Sequence, residues 1–169
     1  RAGRPRLLLG SVSPRRHRIV AALGIPFDVA EPGVPEIHND RDAVHTASTN
    51  ALAKHAWCRE RYPGRWILTA DTVVEFEGLC LGKPRDAEQA TAFLRAYSGK
   101  AQQVFTAVAL SAPGGQAELR VVASSLRFRV LSPADICAYL ELAAPYDRAG
   151  AYDVDAHGTR IVAGTCGSY

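Results

Sequence analysis

Residues Leu7 to Ile19, read Leu-Leu-Leu-Gly-Ser-Val-Ser-Pro-Arg-Arg-His-Arg-Ile, constrain this chain most. Leu7–Leu9 is a short apolar run, expected as a buried strand. Ser13 suits an N-cap and Pro14 the first helical position, where a missing N–H costs nothing. Ile19, Val20 and Leu23 then recur at helical spacing, and Gly24 stops the helix. The chain therefore runs from a strand through a Gly/Ser turn into a helix whose start carries a partial positive charge. Arg15, Arg16 and Arg18 crowd that start, where each cation is disfavoured by about 0.3–1 kcal/mol. Free backbone N–H groups, hydroxyls and guanidinium groups at one place make a polyphosphate site; the plain alternative is a solvated basic turn.

The remaining pattern alternates strands and helices. Strands are expected over Phe27–Ala30, Trp66–Ala70, Thr72–Phe76, Leu79–Leu81, Gln103–Ser111 and Gln116–Val130, with a short one near Arg160–Ala163. Helices are expected over Ala43–Tyr62, from the Asp86 cap to about Tyr97, and from Ser132-Pro133 to about Leu142. Glu31–Asp42 reads as a polar loop, Glu77-Gly78 as a hairpin turn and Pro113-Gly114-Gly115 as the turn of a longer hairpin. This is an α/β mixed twisted sheet with flanking helices. A length of 169 residues gives one domain, or two small lobes around one cleft. The apolar stretch at Leu7–Leu9 is too short for a signal peptide, and nothing is long enough to span a bilayer. Four scattered cysteines without a Cys-x-x-Cys pair oppose a zinc site or disulfide framework and suit the cytoplasm. A net charge of +3 helps attract a small anion and is weak support for nucleic acid, so nucleic acid is not the expected partner.

Three charged residues sit in apolar surroundings. Asp71 lies between Trp66–Ala70 and Thr72-Val73-Val74, so its carboxylate must be partnered, metal-bound or at a strand break facing a cleft. A desolvated carboxylate of that kind predicts that Asp71→Asn keeps or gains stability. Lys83, after a strand and before a helix, stands where α/β folds present ligand-facing residues, or is a solvated loop lysine. Lys54 lies on an apolar helical stretch, where a lysine stem commonly snorkels. Glu31, Glu36, Asp40 and Asp42 make the first loop acidic, with solvation the default. The combination supplies Ser, Arg and Lys for phosphate oxygens and carboxylates for a hard divalent ion such as Mg²⁺. The P-loop, dinucleotide-binding and Gly-x-Ser-x-Gly signatures are all absent.

Runs in one order across the chain resemble the Maf family of nucleoside triphosphate pyrophosphatases. They are Ser11-Val12-Ser13-Pro14-Arg15-Arg16, Leu23–Phe27, Ala53-Lys54, Ala70–Val74, Leu81–Ala87, Tyr97–Lys100 with Val104–Val108, and Ala149–Tyr152. The resemblance implies a single Maf-like domain over 1–169 with an inosine triphosphate pyrophosphatase-like fold, two lobes around a cleft. It implies hydrolysis of a nucleoside triphosphate to the monophosphate and pyrophosphate with Mg²⁺ or Mn²⁺, for house-cleaning or nucleotide-pool control. Ser11, Ser13, Arg15, Arg16, Lys54 and Lys83 would then hold the triphosphate, with Lys83 in the catalytic set. Glu36 and Asp71 would hold the metal or activate the attacking water. Ala70-Asp71-Thr72 resembles the dTTP/UTP subfamily, whereas the 7-methyl-GTP subfamily tends to read Ser-Asp-Gln. Asp155 stands where the family reads glutamine and is expected to contact substrate, bind metal or alter activity. The loop Glu31–Pro35 lacks the usual Ser-Asp-Ile-Asp run, and the chain stops at Gly167-Ser168-Tyr169, short of the family's Gly-Leu-Pro segment. A homodimer is implied. The competing function is a non-enzymatic division or nucleic-acid-binding protein using Arg1, Arg4, Arg6 and the Arg15-Arg16-Arg18 cluster as a basic face.

Overall fold

The computed structural model describes residues 6–39, 41–155 and 157–167. Of the residues singled out above, Arg1, Arg4, Asp40, Ser168 and Tyr169 lie outside them. The elements are β1 (Leu7–Gly10), α1 (Pro14–Ala22), β2 (Phe27–Ala30), α2 (Ala43–Arg61), β3 (Trp66–Phe76), β4 (Leu79–Leu81), α3 (Ala87–Tyr97), β5 (Ala101–Ser111), β6 (Glu118–Phe128), α4 (Pro133–Ala143) and β7 (Val162–Gly167). The seven strands pair in the order β2-β1-β3-β5-β6-β7, with β4 added to β3. β1 is parallel to both β2 and β3, while β4 runs antiparallel to β3 and β7 antiparallel to β6, so the sheet is mixed as expected. By internal contacts the chain divides into two compact units, and β3, β5 and β6 each contribute to both.

In the first unit (1–38, 44–72 and 106–121) the parallel strands are covered on both faces. Leu8 packs with Ala30, Cys58 and Ile67, while Leu7 and Leu9 pack with Val20. Alternation along β1 sends these leucines to opposite faces, which is why all three are apolar. α1 buries only Val20. Ile19 and Leu23 are 56% and 67% exposed, so the apolar face expected from their spacing is not buried. Gly24 does end this helix region with φ +68°.

α2 approaches the sheet closely because its inner row is small. Ala43, Ala47 and Ala51 are buried, and the Thr69 hydroxyl donates to the Ala51 carbonyl at 2.8 Å. Gly10 is required by that approach. A Cβ there would meet Cys58 Sγ at 2.6 Å and Thr69 Cγ2 at 2.7 Å. Both neighbours are short buried side chains that cannot swing aside. Gly10→Ala is therefore expected to destabilise by about 1–3 kcal/mol, the usual cost of overpacking. A thermal melt checks this; an unchanged Tm would mean that α2 yields freely.

The second unit (39–43, 73–105 and 122–167 as described) is built around aromatics. Tyr97 lies with its ring centroid 5.1 Å from both Phe76 and Phe128, and its hydroxyl donates to the Gly150 carbonyl at 3.1 Å. Burial pushes the Tyr97 phenol up. Helix starts here follow the sequence signals. Asp86 accepts from Gln89 N at 2.7 Å, and Ser132 and Asp135 form a reciprocal capping box. β7 begins at Val162 rather than Arg160, because residues 158–160 form a 3₁₀ turn first.

Candidate active site

Parallel strands open a polar crevice beyond their carboxyl ends. β1 ends at Gly10, in register with Thr69 of β3 and Ala30 of β2. Ser11 follows β1, Asp71 lies two residues past Thr69, and Glu36 comes in the loop after β2, all in the first unit. β3 runs unbroken from Trp66 to Phe76, so Asp71 lies within a continuous strand and not at a strand break. The residue is 7% exposed and is fully engaged.

Asp71 Oδ1 accepts from Lys54 Nζ at 2.8 Å and Asp71 Oδ2 from Asn50 Nδ2 at 3.1 Å. The Lys54 ammonium also pairs with Glu36 Oε1 at 2.5 Å. Lys54 therefore does not snorkel: its side chain is 12% exposed and its charge is turned onto two carboxylates. Glu36 is likewise not simply solvated, although its side chain remains 56% exposed. Asn50 is locked from the other side. It accepts from Ile37 N at 2.8 Å and donates to Ile37 O at 3.1 Å, which ties the Glu36 loop to α2.

A second group gathers at the start of α1. Arg16 Nη1 donates to Ser11 Oγ at 3.1 Å, and Arg16 Nη2 donates to Thr72 Oγ1 at 3.3 Å. The Thr72 hydroxyl pairs in turn with Thr106 Oγ1 at 3.0 Å. Burial draws the Arg16 pKa down, opposed by the charges of Asp71 and Glu36, while Arg15 adds to the lowering. A guanidinium stays charged at any working pH. Ser13 takes the N-cap position of α1 without a side-chain cap bond; its N–H instead donates to Ser11 Oγ at 3.3 Å. His17 reaches back to the Ser11 carbonyl at 2.7 Å and, facing an acceptor, donates from Nε2.

Eight of the expected residues, Ser11, Ser13, Arg15, Arg16, Glu36, Lys54, Asp71 and Thr72, thus belong to the first unit. Lys83 and Asp155 belong to the second. Lys83 is exposed in the loop between β4 and α3. Asp155 is exposed, and its N–H donates to Asp153 Oδ1 at 2.9 Å. The pair Glu36 and Asp71 fits a divalent ion by the chemistry of its donors, hard oxygens on two carboxylates beside cations suited to phosphate. No cluster of three or more His, Cys, Asp or Glu suited to a metal occurs among the described residues. Two carboxylates completed by substrate phosphates is the arrangement Mg²⁺ usually takes.

The family model described as "Maf-like protein" matches residues 6–169. This chain belongs to the Maf family. Among Maf relatives, "dTTP/UTP pyrophosphatase" of Myxococcus xanthus is 39% identical over 163 residues, covering 96% of this chain and 82% of that protein. Proteins of the same description from Deinococcus radiodurans and Thermus thermophilus are 34% and 38% identical, covering 98% and 95% of this chain and 84% and 83% of theirs. A crystal structure of a "nucleoside-triphosphatase / dITP/XTP pyrophosphatase" from Mycobacterium abscessus aligns over 75% of each chain at 16% identity and a TM-score of 0.44.

Asn50 and Thr106 joined this Maf site without having been expected. Asn50 was legible in part: Thr46, Asn50 and Lys54 recur every four residues, a polar row beside the Ala43-Ala47-Ala51 row. Thr106 lies in the Val104–Val108 run, but only the pairing of strands distant in sequence brings it to Thr72.

Proposed function

We propose that this Maf protein hydrolyses dTTP and UTP to the nucleoside monophosphate and pyrophosphate. The observation that carries the reading is Lys54 Nζ bridging Glu36 and Asp71 beside Arg16, at the carboxyl ends of parallel strands. Ser11, Ser13, Arg15, Arg16 and Lys54 take the triphosphate oxygens through charge-assisted hydrogen bonds, and the family resemblance supports Lys83 in the catalytic set. Glu36 and Asp71 would hold Mg²⁺ or Mn²⁺, which would neutralise phosphate charge and polarise the phosphoryl oxygen. Water attacks phosphorus, the bond between the α-phosphoryl group and pyrophosphate breaks, and the proton leaves to a carboxylate oxygen. Glu36, the more exposed carboxylate, suits that proton transfer; Asp71, pinned by Lys54 and Asn50, suits orientation. Thr72 and Asp155 contribute to substrate choice. No described helix is long and apolar enough to cross a membrane. The family resemblance supports a homodimer, one catalytic domain over 1–169 and work in the cytoplasm.

The nucleic-acid reading is weaker. Arg6 is tied to Asp28 at 2.7 Å, and Arg16 to Ser11 and Thr72, so neither is a spare surface cation.

A kinetic panel of dTTP, UTP, 7-methyl-GTP and ATP with Mn²⁺ tests the substrate. The expected result is the highest kcat/KM for dTTP and UTP; preference for 7-methyl-GTP would overturn the assignment from Thr72. Arg15→Ala and Lys83→Ala should each lower kcat/KM at least about tenfold, the scale of one charge-assisted contact. Lys83 is exposed and has no hydrogen bond or ion pair among the described residues, so its removal should leave Tm unchanged. Wild-type kinetics in either variant would return that residue to the solvated surface.

A further inference from the structure

The carboxylates read above as metal ligands already hold a cation of the chain's own. Lys54 Nζ stands between Glu36 Oε1 at 2.5 Å and Asp71 Oδ1 at 2.8 Å, on a side chain that is 12% exposed. Asn50, locked by both polar atoms of the Ile37 backbone, covers the remaining Asp71 oxygen. Arg16 adds a second positive charge that senses both carboxylates, and Arg15 lies close enough to repel it. Two carboxylates thus face two cations, Lys54 and Arg16, and carry no surplus negative charge. That balance removes the field that would draw in a bare divalent cation. No third acidic, His or Cys ligand completes a metal cluster among the described residues.

We infer that Lys54 is the resident counter-cation of the Glu36–Asp71 pair, so that this enzyme takes its metal only together with the nucleotide. The true substrate is then the metal complex of the nucleoside triphosphate. The triphosphate brings several negative charges and stronger acceptors for Lys54 and Arg16. As it arrives, Lys54 turns from the carboxylates to the phosphates, and the two carboxylates become available to the ion that the nucleotide carries. Metal and nucleotide therefore bind with positive coupling, which must be reciprocal. This inference rests on the function proposed above.

The test uses the full chain, Mn²⁺ as the metal, and an α,β-imido analogue of dTTP that is not cleaved. Electron paramagnetic resonance reads free Mn²⁺, water-proton relaxation reads protein-bound Mn²⁺, and calorimetry reads analogue affinity. The wild-type protein is expected to leave Mn²⁺ free when alone and to bind the analogue about 5–150-fold tighter when Mn²⁺ saturates it. Lys54→Met, and Lys54→Gln should the first variant melt, are expected to bind Mn²⁺ without nucleotide and to show less coupling. Mn²⁺ binding to the wild type alone as tightly as in the ternary complex would overturn the inference and leave the pyrophosphatase reading standing. So would Lys54 variants with undiminished coupling. An analogue that binds neither with nor without Mn²⁺ would remove the reading itself, and the inference with it.

Discussion

Asp71→Asn is expected to lower kcat by about 100-fold or more, the range for losing a general base or its equivalent. It is also expected to lower Tm. From sequence alone, a desolvated carboxylate predicted the opposite sign for stability. The structure reverses that prediction because Asp71 is partnered at both oxygens. Asn50 cannot flip to meet the new amide, since its oxygen serves Ile37 N and its nitrogen serves Ile37 O. With the new amide oxygen turned to Lys54, its nitrogen faces the Asn50 nitrogen, donor against donor. The Lys54 ammonium meanwhile loses its more buried counter-charge and keeps only Glu36, whose side chain is largely in solvent. One broken hydrogen bond between buried groups costs about 1–3 kcal/mol. Measuring kcat and Tm on one preparation separates the roles. A destabilised variant with wild-type kcat would take Asp71 out of the mechanism and leave it as a structural partner for Lys54.

On the proposed reading, in which the Arg16 guanidinium takes the triphosphate through two charge-assisted hydrogen bonds, Arg16→Ala should reduce kcat/KM by about 100-fold, more than either Arg15→Ala or Lys83→Ala. Arg16 spans Ser11 and Thr72 with separate guanidinium nitrogens. It therefore orders the turn after β1 and the hydroxyl pair Thr72–Thr106 together. Lysine is a point charge without that fork. Arg16→Lys should accordingly keep the charge yet remain at least about tenfold below wild type. Full rescue by lysine would mean that Arg16 contributes charge alone, and that its hydroxyl contacts are incidental.

Much of the fold is legible locally. The Leu7–Leu9 run, the Pro14 helix start, the Glu77-Gly78 turn and the Ser132-Pro133 helix start each encode their own geometry within a few residues. α1 is the instructive failure. Helical spacing of Ile19, Val20 and Leu23 says which residues share a face but not whether anything covers it, and only Val20 is covered. The site divides the same way. Ser11, Arg15 and Arg16 stand in one continuous motif, whereas Glu36, Lys54 and Asp71 are brought together by strand order and helix packing. A lysine in an apolar helical stretch looks like a snorkelling side chain until the sheet beneath it is known to present a carboxylate. Asp71 could be read as buried from its neighbours, but its partners could not. Asn50 needed the further knowledge that α2 packs closely enough, over Ala47 and Ala51, for an amide to reach β3.

The measurement that bears most directly on the central claim is the product stoichiometry of dTTP turnover with Mn²⁺, run on the wild type beside Asp71→Asn. The account predicts dTMP and pyrophosphate in equal amounts from the wild type, no orthophosphate as first product, and nearly complete loss in the variant. Orthophosphate with dTDP, or pyrophosphate release that persists unchanged in Asp71→Asn, would contradict it.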